Sequence, residues 1–294
     1  MANGARSLHI RVPIFDPARG AVADAVWAWR LWWEANGPRI LRDFEFTDRS
    51  VNTVTPLRKF TLTGGVTVEY PKDKKAAVPK GLNIRLELLA ILDSVPPETR
   101  HQSYFVHIDG SGAIDFSGIE LVLKELIRND KDVALGRRPE DHPDWFMGNP
   151  DRKTVELFEN FLLERRYQEE VTRQFGGDLP DAQAGCWGLK LGVLKHIGLT
   201  AQEYGLEFDV AASALAARLS IGFTDNLTPG QRTSSAFGGF QTSIRKLRFI
   251  LHKLDFTKSD LRTNLEEYEA LFVNDRDRKL PQIYKEMVKE FIAS

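Results

Sequence analysis

Residues 104–112 have the sequence YFVHIDGSG, an apolar run that passes directly into a polar, glycine-rich turn. Tyr104–Ile108 is predicted to be a buried strand because it is short and rich in aromatic and β-branched side chains. The turn Asp109-Gly110-Ser111-Gly112 ends that strand. A carboxylate that directly follows a buried strand is well placed to meet a ligand at the end of a sheet.

Helices and strands alternate on both sides of this stretch. Apolar spacing predicts helices over Leu82–Leu92 and Phe116–Ile127 and a strand over Asp132–Leu135. The other expected elements are the strand Leu8–Phe15, the helix Ala21–Ala35 ended by Asn36-Gly37-Pro38, the strands Ile40–Phe46 and Val66–Tyr70, a long helix from Asn149-Pro150 to about Gln174, an irregular glycine-rich stretch Leu179–Leu191, the helix Phe208–Arg218 and the strand Ile221–Asp225. This order predicts an α/β fold: a mostly parallel sheet with helices on both faces and a ligand at the carboxyl ends of its strands.

The composition is that of a globular protein. The 294 residues are 42% hydrophobic and 28% charged, and 40 basic against 41 acidic side chains give no overall attraction to nucleic acid or to an anionic membrane. A single cysteine, Cys186, excludes an intramolecular disulfide and a thiolate zinc site. No secretory signal precedes the first strand and no apolar run reaches the ~20 residues that span a bilayer, so we expect a cytoplasmic protein without a transmembrane segment.

The character of the sequence changes near residue 230, after which a Ser/Gly-rich loop and polar helical segments follow. We therefore expect a ligand-binding domain over 1–230 and a loop with a helical extension over 231–294. Within the extension, residues 244–254 are basic and amphipathic. Such a stripe either docks on its own domain or makes a peripheral contact with a membrane or a polyanion.

Acidic side chains occur in three turns that can carry chemistry. Asp109 can present its carboxylate to a divalent cation, or its carboxylate can bond the backbone of an ordinary turn. His107 lies two residues earlier on the same face of the strand. It is either a weak extra ligand of the cation or a core histidine whose hydrogen bonds are made within the protein. Asp48 can bind a base or a ribose, or lie in a solvated loop. Glu207 and Asp209 are each a candidate general base or a residue favoured at a helix start.

Seven short motifs follow one another along the chain, and their order is itself informative. They are Val12–Asp16 (VPIFD), Thr47–Thr53 (TDRSVNT), Lys80–Asn83 (KGLN), His107–Ser111 (HIDGS), Leu135–Arg138 (LGRR), Asp181–Gly185 (DAQAG) and Gly205–Asp209 (GLEFD). Over about residues 8–228 this series resembles the inverting GT-A glycosyltransferases of family 2, nearest the branch of dolichyl-phosphate mannosyltransferase. The resemblance implies a Rossmann-like GT-A domain that transfers a sugar from a nucleotide-diphosphate-sugar of the UDP or GDP type to an unidentified acceptor.

The resemblance also implies roles for individual residues. Asp109 and Ser111 take the metal position, with Mg²⁺ or Mn²⁺ as the ion, while Glu207 or Asp209 is the base and Asp181 a further catalytic candidate. The residues expected to bind the donor or to line the sugar and acceptor side are Pro13, Asp16, Asp48, Lys80, Asp109, Arg137, Arg138, Gln183, Gly185, Trp187 and Arg232. Trp187 offers a flat apolar face for a ring, and Arg232 can close over the diphosphate.

Three positions depart from the family pattern. Ser111 stands where the second aspartate of D-x-D is expected, Asp16 replaces an asparagine and Arg49 replaces a glycine. With Asp109 as the single carboxylate, a bound cation needs water and phosphate oxygens to complete its coordination shell. Alternatively, an arginine takes the place of the cation. Two alternatives therefore stay open: a sugar-phosphate nucleotidyltransferase, although its early G-x-G-T-R loop is missing, and a non-catalytic carbohydrate- or nucleotide-binding relic of the same fold.

Overall fold

The computed structural model describes residues 6–12, 19–48, 60–61, 67–68, 80–110, 113–143, 152–201, 205–230, 240–276 and 278–293. The elements in chain order are β1 (Arg6–Arg11), α1 (Arg19–Asp43), β2 (Phe46–Asp48), β3 (Phe60–Thr61), β4 (Thr67–Val68), α2 (Lys80–Ser94), β5 (Ser103–Ile108), α3 (Gly118–Leu123), β6 (Val133–Arg137), α4 (Arg152–Arg166), α5 (Gln168–Phe175), β7 (Cys186–Lys190), α6 (Leu206–Ala216), β8 (Ile221–Asn226), α7 (Phe240–Leu254), α8 (Lys258–Leu271) and α9 (Gln282–Ala293).

Six strands form one mixed sheet in the order β2-β1-β5-β7-β6-β8. β1 is parallel to β2 and β5, and β6 is parallel to β8, whereas β7 is antiparallel to both of its neighbours. The short strands β3 and β4 pair with each other outside this sheet. The expected α/β architecture, a mostly parallel sheet between helices, is confirmed.

The alternation of side chains along the strands divides the core into two layers. In β5, Tyr104, Val106 and Ile108 pack with α1 and α3, while Phe105 points to the opposite face. That second face is covered by α2, α4, α6 and the C-terminal helices α7–α9.

Helix α1 is longer than predicted, so the strand expected over Ile40–Phe46 is wrong for its first part. The helix passes through Pro38 and ends at Asp43. A proline within a helix costs roughly 3 kcal/mol. Burial of Ile40 and Phe44, on the same side as Trp33, offsets this at about 1.5–3 kcal/mol for each side chain.

Strand β7 was not predicted, because glycines interrupt the apolar pattern of the segment Leu179–Leu191. The structure places Cys186–Lys190 in the centre of the sheet. Gly188 is required there, since a Cβ atom would lie 2.7 Å from the carbonyl oxygen of Phe105 on β5. The glycine that hides the strand in the sequence therefore permits the close approach of the two backbones.

The long helix predicted up to Gln174 is divided at Tyr167 into α4 and α5, and its predicted start at Asn149-Pro150 lies outside the described residues. In α7, the apolar stripe of the basic segment 244–254 is buried in the same core as α4 and α6, through Leu247, Ile250, Leu251 and Leu254. The stripe thus docks on its own protein. None of the described helices is both long enough and apolar enough to span a bilayer.

Candidate functional site

The strand register defines which side chains meet at the carboxyl edge of the sheet. Asp109 follows β5 directly, and its backbone N–H donates to the carbonyl oxygen of Gly185 just before β7 (2.9 Å). Leu135 on β6 pairs with Trp187, which in turn pairs with His107, so Arg137 lies level with Asp109. The exposed end of β6 and the loop before β7 therefore flank the Asp109 turn on one edge.

His107, Asp109 and Glu207 form a cluster at this edge. One ligand atom from each side chain lies within 4.8 Å of the other two, and His107 Nε2 is 3.2 Å from Asp109 Oδ1. Glu207 reaches the cluster from the first turn of α6, which follows Gly205. His107 is buried, whereas the two carboxylates are half-buried, so the cluster opens toward solvent on its acidic side.

His107 is held in place by the core beneath it. Its ring stacks on Trp187 with centroids 5.3 Å apart and an interplanar angle of 29°. Trp187 is 1% exposed and also contacts Phe105, at 5.4 Å between ring centroids. The expectation that Trp187 offers a free face to a sugar or a base is therefore wrong, because antiparallel pairing with β5 turns its ring into the core.

Gly185 lies directly against the carboxylate of Asp109. Its φ of +67° is in the left-handed region, and a Cβ atom would approach Asp109 Oδ2 to 2.8 Å. Only glycine meets both requirements at low cost. Gly185 is thus placed beside the cluster as a backbone contact.

Asp181, Arg138 and Gln183 are buried beneath the same loop rather than exposed to a ligand. Arg138 Nε and Nη2 donate to the two carboxylate oxygens of Asp181 at 2.7 and 2.9 Å, and Nη2 also donates to Glu156 at 2.6 Å. The backbone N–H of Gln183 donates to Asp181 Oδ1 at 3.0 Å. The structure therefore assigns these three residues to the support of the loop, in contrast to the expected direct contacts with donor or acceptor.

A further carboxylate belongs to this support. Glu156 on α4 is buried between Arg138 and Arg152. Burial acts to raise the pKa of Glu156, but Arg152, Arg138 and Lys246 outweigh it and lower the pKa to about 2. Glu156 is therefore ionised and paired at neutral pH.

Asp209, the second candidate for the base, is completely buried. Its carboxylate accepts hydrogen bonds from the backbone N–H groups of Thr200 and Ala201, and it forms an ion pair with Lys253 Nζ at 2.6 Å. These contacts join α6 to the preceding loop and to α7. Asp209 is therefore a structural carboxylate, in contrast to Glu207 at the edge.

The register does not bring Asp48 to the cluster. Asp48 pairs with Ser7, which pairs with Ser103 at the start of β5. The six residues from Ser103 to Asp109 correspond to about 20 Å along the strand direction. Strand β2 is too short for its last residue to reach the edge where Asp109 lies.

Other predicted site residues have no described side chain. Lys80 is placed at the start of α2 by its backbone alone, and Pro13, Asp16, Ser111 and Arg232 lie outside the described residues.

A buried ion pair near the site was also not predicted. Arg11, at the end of β1, is buried and forms an ion pair with Glu87 of α2. Burial lowers the pKa of Arg11 to about 9, while the negative charge of Asp109 opposes that shift. The available signal was an arginine at a core-facing position of a strand, which requires an acidic partner.

Cys186 lies close to the same charge. Burial, and then the charge of Asp109, raise the pKa of its thiol. A thiol in this state is a poor nucleophile, so Cys186 is a core residue.

Comparison by sequence finds no matching family model and no matching curated protein. Comparison by structure finds glucosyl-3-phosphoglycerate synthase from Mycobacterium tuberculosis. Its complex with Mn²⁺, UDP-glucose and glycerol 3-phosphate has a TM-score of 0.52 and 13% identity, over 86% of this chain and 81% of that chain. Its complex with phosphoglyceric acid has a TM-score of 0.50 and 13% identity over the same shares. Its complex with Mn²⁺, UDP and phosphoglyceric acid has a TM-score of 0.50 and 11% identity, over 86% and 80%.

These identities are too low to carry residue roles or the branch of the family from one chain to the other. The structural similarity does establish the arrangement of the sheet and its helices. This is the arrangement that the sequence motifs predict. The chain therefore has the Rossmann-like GT-A fold.

Proposed function

We propose that this chain is a glycosyltransferase that takes a sugar from a nucleotide-diphosphate-sugar with the help of a divalent cation. The observation that carries the proposal is the convergence of His107, Asp109 and Glu207 at the carboxyl edge of a GT-A sheet. Ligands of open α/β sheets bind at this edge.

The cluster suits a divalent cation by the chemistry of its donor atoms. In this proposal the imidazole nitrogen of His107 stands beside the carboxylate of Asp109 as the second protein donor, so the cation does not depend on an aspartate at position 111. Oxygen donors suit Mg²⁺ and Mn²⁺, and the added imidazole favours Mn²⁺ over Mg²⁺. A cation bound there would offset the charge that a diphosphate leaving group gains.

Glu207 is our candidate for the base that removes the proton of the acceptor hydroxyl. It is half-buried beside Asp109, whereas Asp209 is buried and paired with Lys253. A general base has to reach the proton that it abstracts, and of Glu207 and Asp209 it is Glu207 that lies at the open edge.

The donor and the acceptor are proposed from two further observations. The similar synthase was determined with UDP-glucose and with glycerol 3-phosphate, which supports a UDP-sugar donor and an acceptor that carries an anionic group. In this chain Arg137 ends β6 level with Asp109 and has an exposed side chain, so it can bind a phosphate oxygen. A single displacement at the anomeric carbon, with inversion, completes the proposal and is tested by the anomeric configuration of the product.

The decisive experiment measures nucleoside diphosphate release from UDP-, GDP- and dTDP-sugars, with Mn²⁺, Mg²⁺ or EDTA and with phosphate-bearing acceptors. We expect release from a UDP-sugar that depends on the cation. Asp109→Asn should lower the rate by about 10²-fold or more, because it weakens binding of the cation that would offset the charge of the leaving group. The matched control is Asp130→Asn, which removes an exposed carboxylate at the opposite end of the sheet and should leave the rate unchanged.

Other outcomes would replace the proposal. Binding of the nucleotide-sugar without release would identify a non-catalytic binding module, and pyrophosphate release from a nucleoside triphosphate and a sugar phosphate would identify a nucleotidyltransferase. Calorimetry with Mn²⁺ separates the two possible roles of Glu207. If Glu207 is the base, Glu207→Gln should abolish turnover with little change in the affinity for Mn²⁺. If Glu207 is a ligand of the cation, the same substitution should weaken Mn²⁺ binding.

A further inference from the structure

Lys246 is a buried lysine of α7 that reaches the loop beside Asp109 from the C-terminal extension. It is 6% exposed. Its Nζ lies 2.6 Å from Gln183 Oε1 and 2.7 Å from Glu159 Oε2 on α4. The extension thus contacts the loop 181–185 through a charged hydrogen bond, and not only through apolar packing.

The loop connects this hydrogen bond to Asp109. The side chain of Gln183 also donates to Asn160 Oδ1 (3.3 Å), which fixes the amide between α4 and α7. Two residues later, Gly185 accepts the N–H of Asp109 and lies against its carboxylate. The loop is therefore held at two points, at Asp181 by Arg138 and at Gln183 by Lys246.

The charges that the described residues place around the loop are paired. The carboxylates of Glu156, Glu159 and Asp181 contact the buried Arg138 and Lys246 and the partly buried Arg152. Lys246 is the member of this set that lies beyond residue 230. A buried charge without its partner is strongly unfavourable, so the position of α7 and the position of the loop are coupled.

We infer that Lys246 is a positioning residue for the catalytic edge: by holding Gln183 it fixes the loop 181–185, and through Gly185 it fixes the carboxylate of Asp109. The inference rests on the proposed function for its consequence in catalysis. Its structural part, the coupling of α7 to the backbone at Asp109, is measurable without turnover.

The test uses a charge-balanced variant of the full chain. Lys246→Met combined with Glu159→Gln removes one cation and one carboxylate, and with them the hydrogen bond to Gln183. The matched control is Glu159→Gln alone, which keeps that hydrogen bond but leaves the Lys246 ammonium without Glu159 as its ion-pair partner, so the control carries a cost in stability that the double variant avoids. We expect the double variant to lose at least tenfold in kcat and severalfold in Mn²⁺ affinity with little change in the KM of the acceptor, while the control stays within twofold of wild type.

Hydrogen exchange provides the second readout. The amide of Asp109, bonded to Gly185, should exchange at least tenfold faster in the double variant than in the control. Gln183→Met removes the same hydrogen bond from the other side and leaves the Lys246–Glu159 pair intact; it should show the same effects and carries the test if the double variant does not fold.

The two proposals fail in different ways. Faster exchange at Asp109 in a protein whose wild type releases no nucleotide from any donor would support the coupling and refute the glycosyltransferase. Wild-type exchange and wild-type kinetics in both the double variant and Gln183→Met would refute the role of Lys246, whatever the activity of the chain.

Discussion

Gly185 combines a positive φ with direct contact to the side chain of Asp109, and the two effects can be separated by mutation. Gly185→Ala introduces strain at φ +67° and a Cβ atom 2.8 Å from Asp109 Oδ2. The strain alone is worth about 1 kcal/mol. The contact must displace the carboxylate, so we expect at least a tenfold loss of Mn²⁺ affinity and of activity, measured by calorimetry and by nucleotide release.

The chain offers a matched control for this substitution. Gly176 ends α5 with a φ of +77°, but a Cβ atom there meets nothing within 4 Å. Gly176→Ala should therefore show a similar loss of stability with unchanged cation affinity. If both variants lowered the affinity for Mn²⁺ equally, backbone strain, and not the contact with Asp109, would be the cause of the loss.

At the level of single residues, the sequence located the edge but not the direction of every side chain. Of the three acidic turns, those of Asp109 and Glu207 meet at one edge, whereas the strand register keeps Asp48 away from it. Trp187 and Asp209 were expected at the site and are buried, since burial depends on partners such as His107 and Lys253 that lie far away in sequence. No local pattern contains that information.

At the level of elements, the strands and helices whose pattern is purely apolar were predicted well. Strand β5 differs from its prediction by one residue, and β8 by one residue. Two of the errors occurred where a local signal was overruled by a contact across the fold: Pro38 did not end α1, and Gly188 did not prevent β7. In both cases the determining interaction is burial against a distant element.

Helix α4 carries two buried carboxylates, Glu156 and Glu159, whose contributions to the stability of the fold should change in opposite directions with pH. The pKa of Glu156 is lowered from 4.5 to about 2, so Glu156 stabilises the fold above pH 4.5 and loses this contribution as the pH falls toward 2. At 1.36 kcal/mol per pKa unit the contribution is about 3 kcal/mol. Burial raises the pKa of Glu159, with Lys246 opposing, so the fold gains stability from Glu159 as the pH falls through its folded pKa.

Urea unfolding between pH 7 and pH 2.5 tests this assignment. The loss of unfolding free energy on acidification should be smaller in Glu156→Gln than in wild type, because the group that takes up the proton on unfolding is gone. It should be larger in Glu159→Gln, because the compensating proton uptake by the folded state is removed. Changes of the same sign in both variants would contradict the opposite pKa shifts.

At the scale of the whole molecule, the boundary predicted near residue 230 separates two parts of the sequence that share one core. Side chains from α7, α8 and α9, including Leu247, Leu261 and Val288, belong to the same hydrophobic cluster as Phe158 of α4 and Phe208 of α6. The periodicity of each helix was visible in the sequence, but the surface on which it docks was not. The boundary itself stays a prediction, and its meaning is testable.

A chain ending at Gly230 should fail to fold on its own. It would lose Leu247, Ile250, Leu251 and Leu254 from the core, roughly 6–12 kcal/mol at about 1.5–3 kcal/mol each. It would also leave Glu159 and Asp209 without Lys246 and Lys253, at about 3–5 kcal/mol for each broken buried pair. Together these losses amount to roughly 12–22 kcal/mol, which is as large as or larger than the net stability of most domains, about 5–15 kcal/mol. Residues 1–230 should therefore show no cooperative urea transition by circular dichroism, whereas co-expression with residues 231–294 as a separate chain should restore one; a transition of the short chain alone at the midpoint of the full chain would show instead that the extension is an independent appendage.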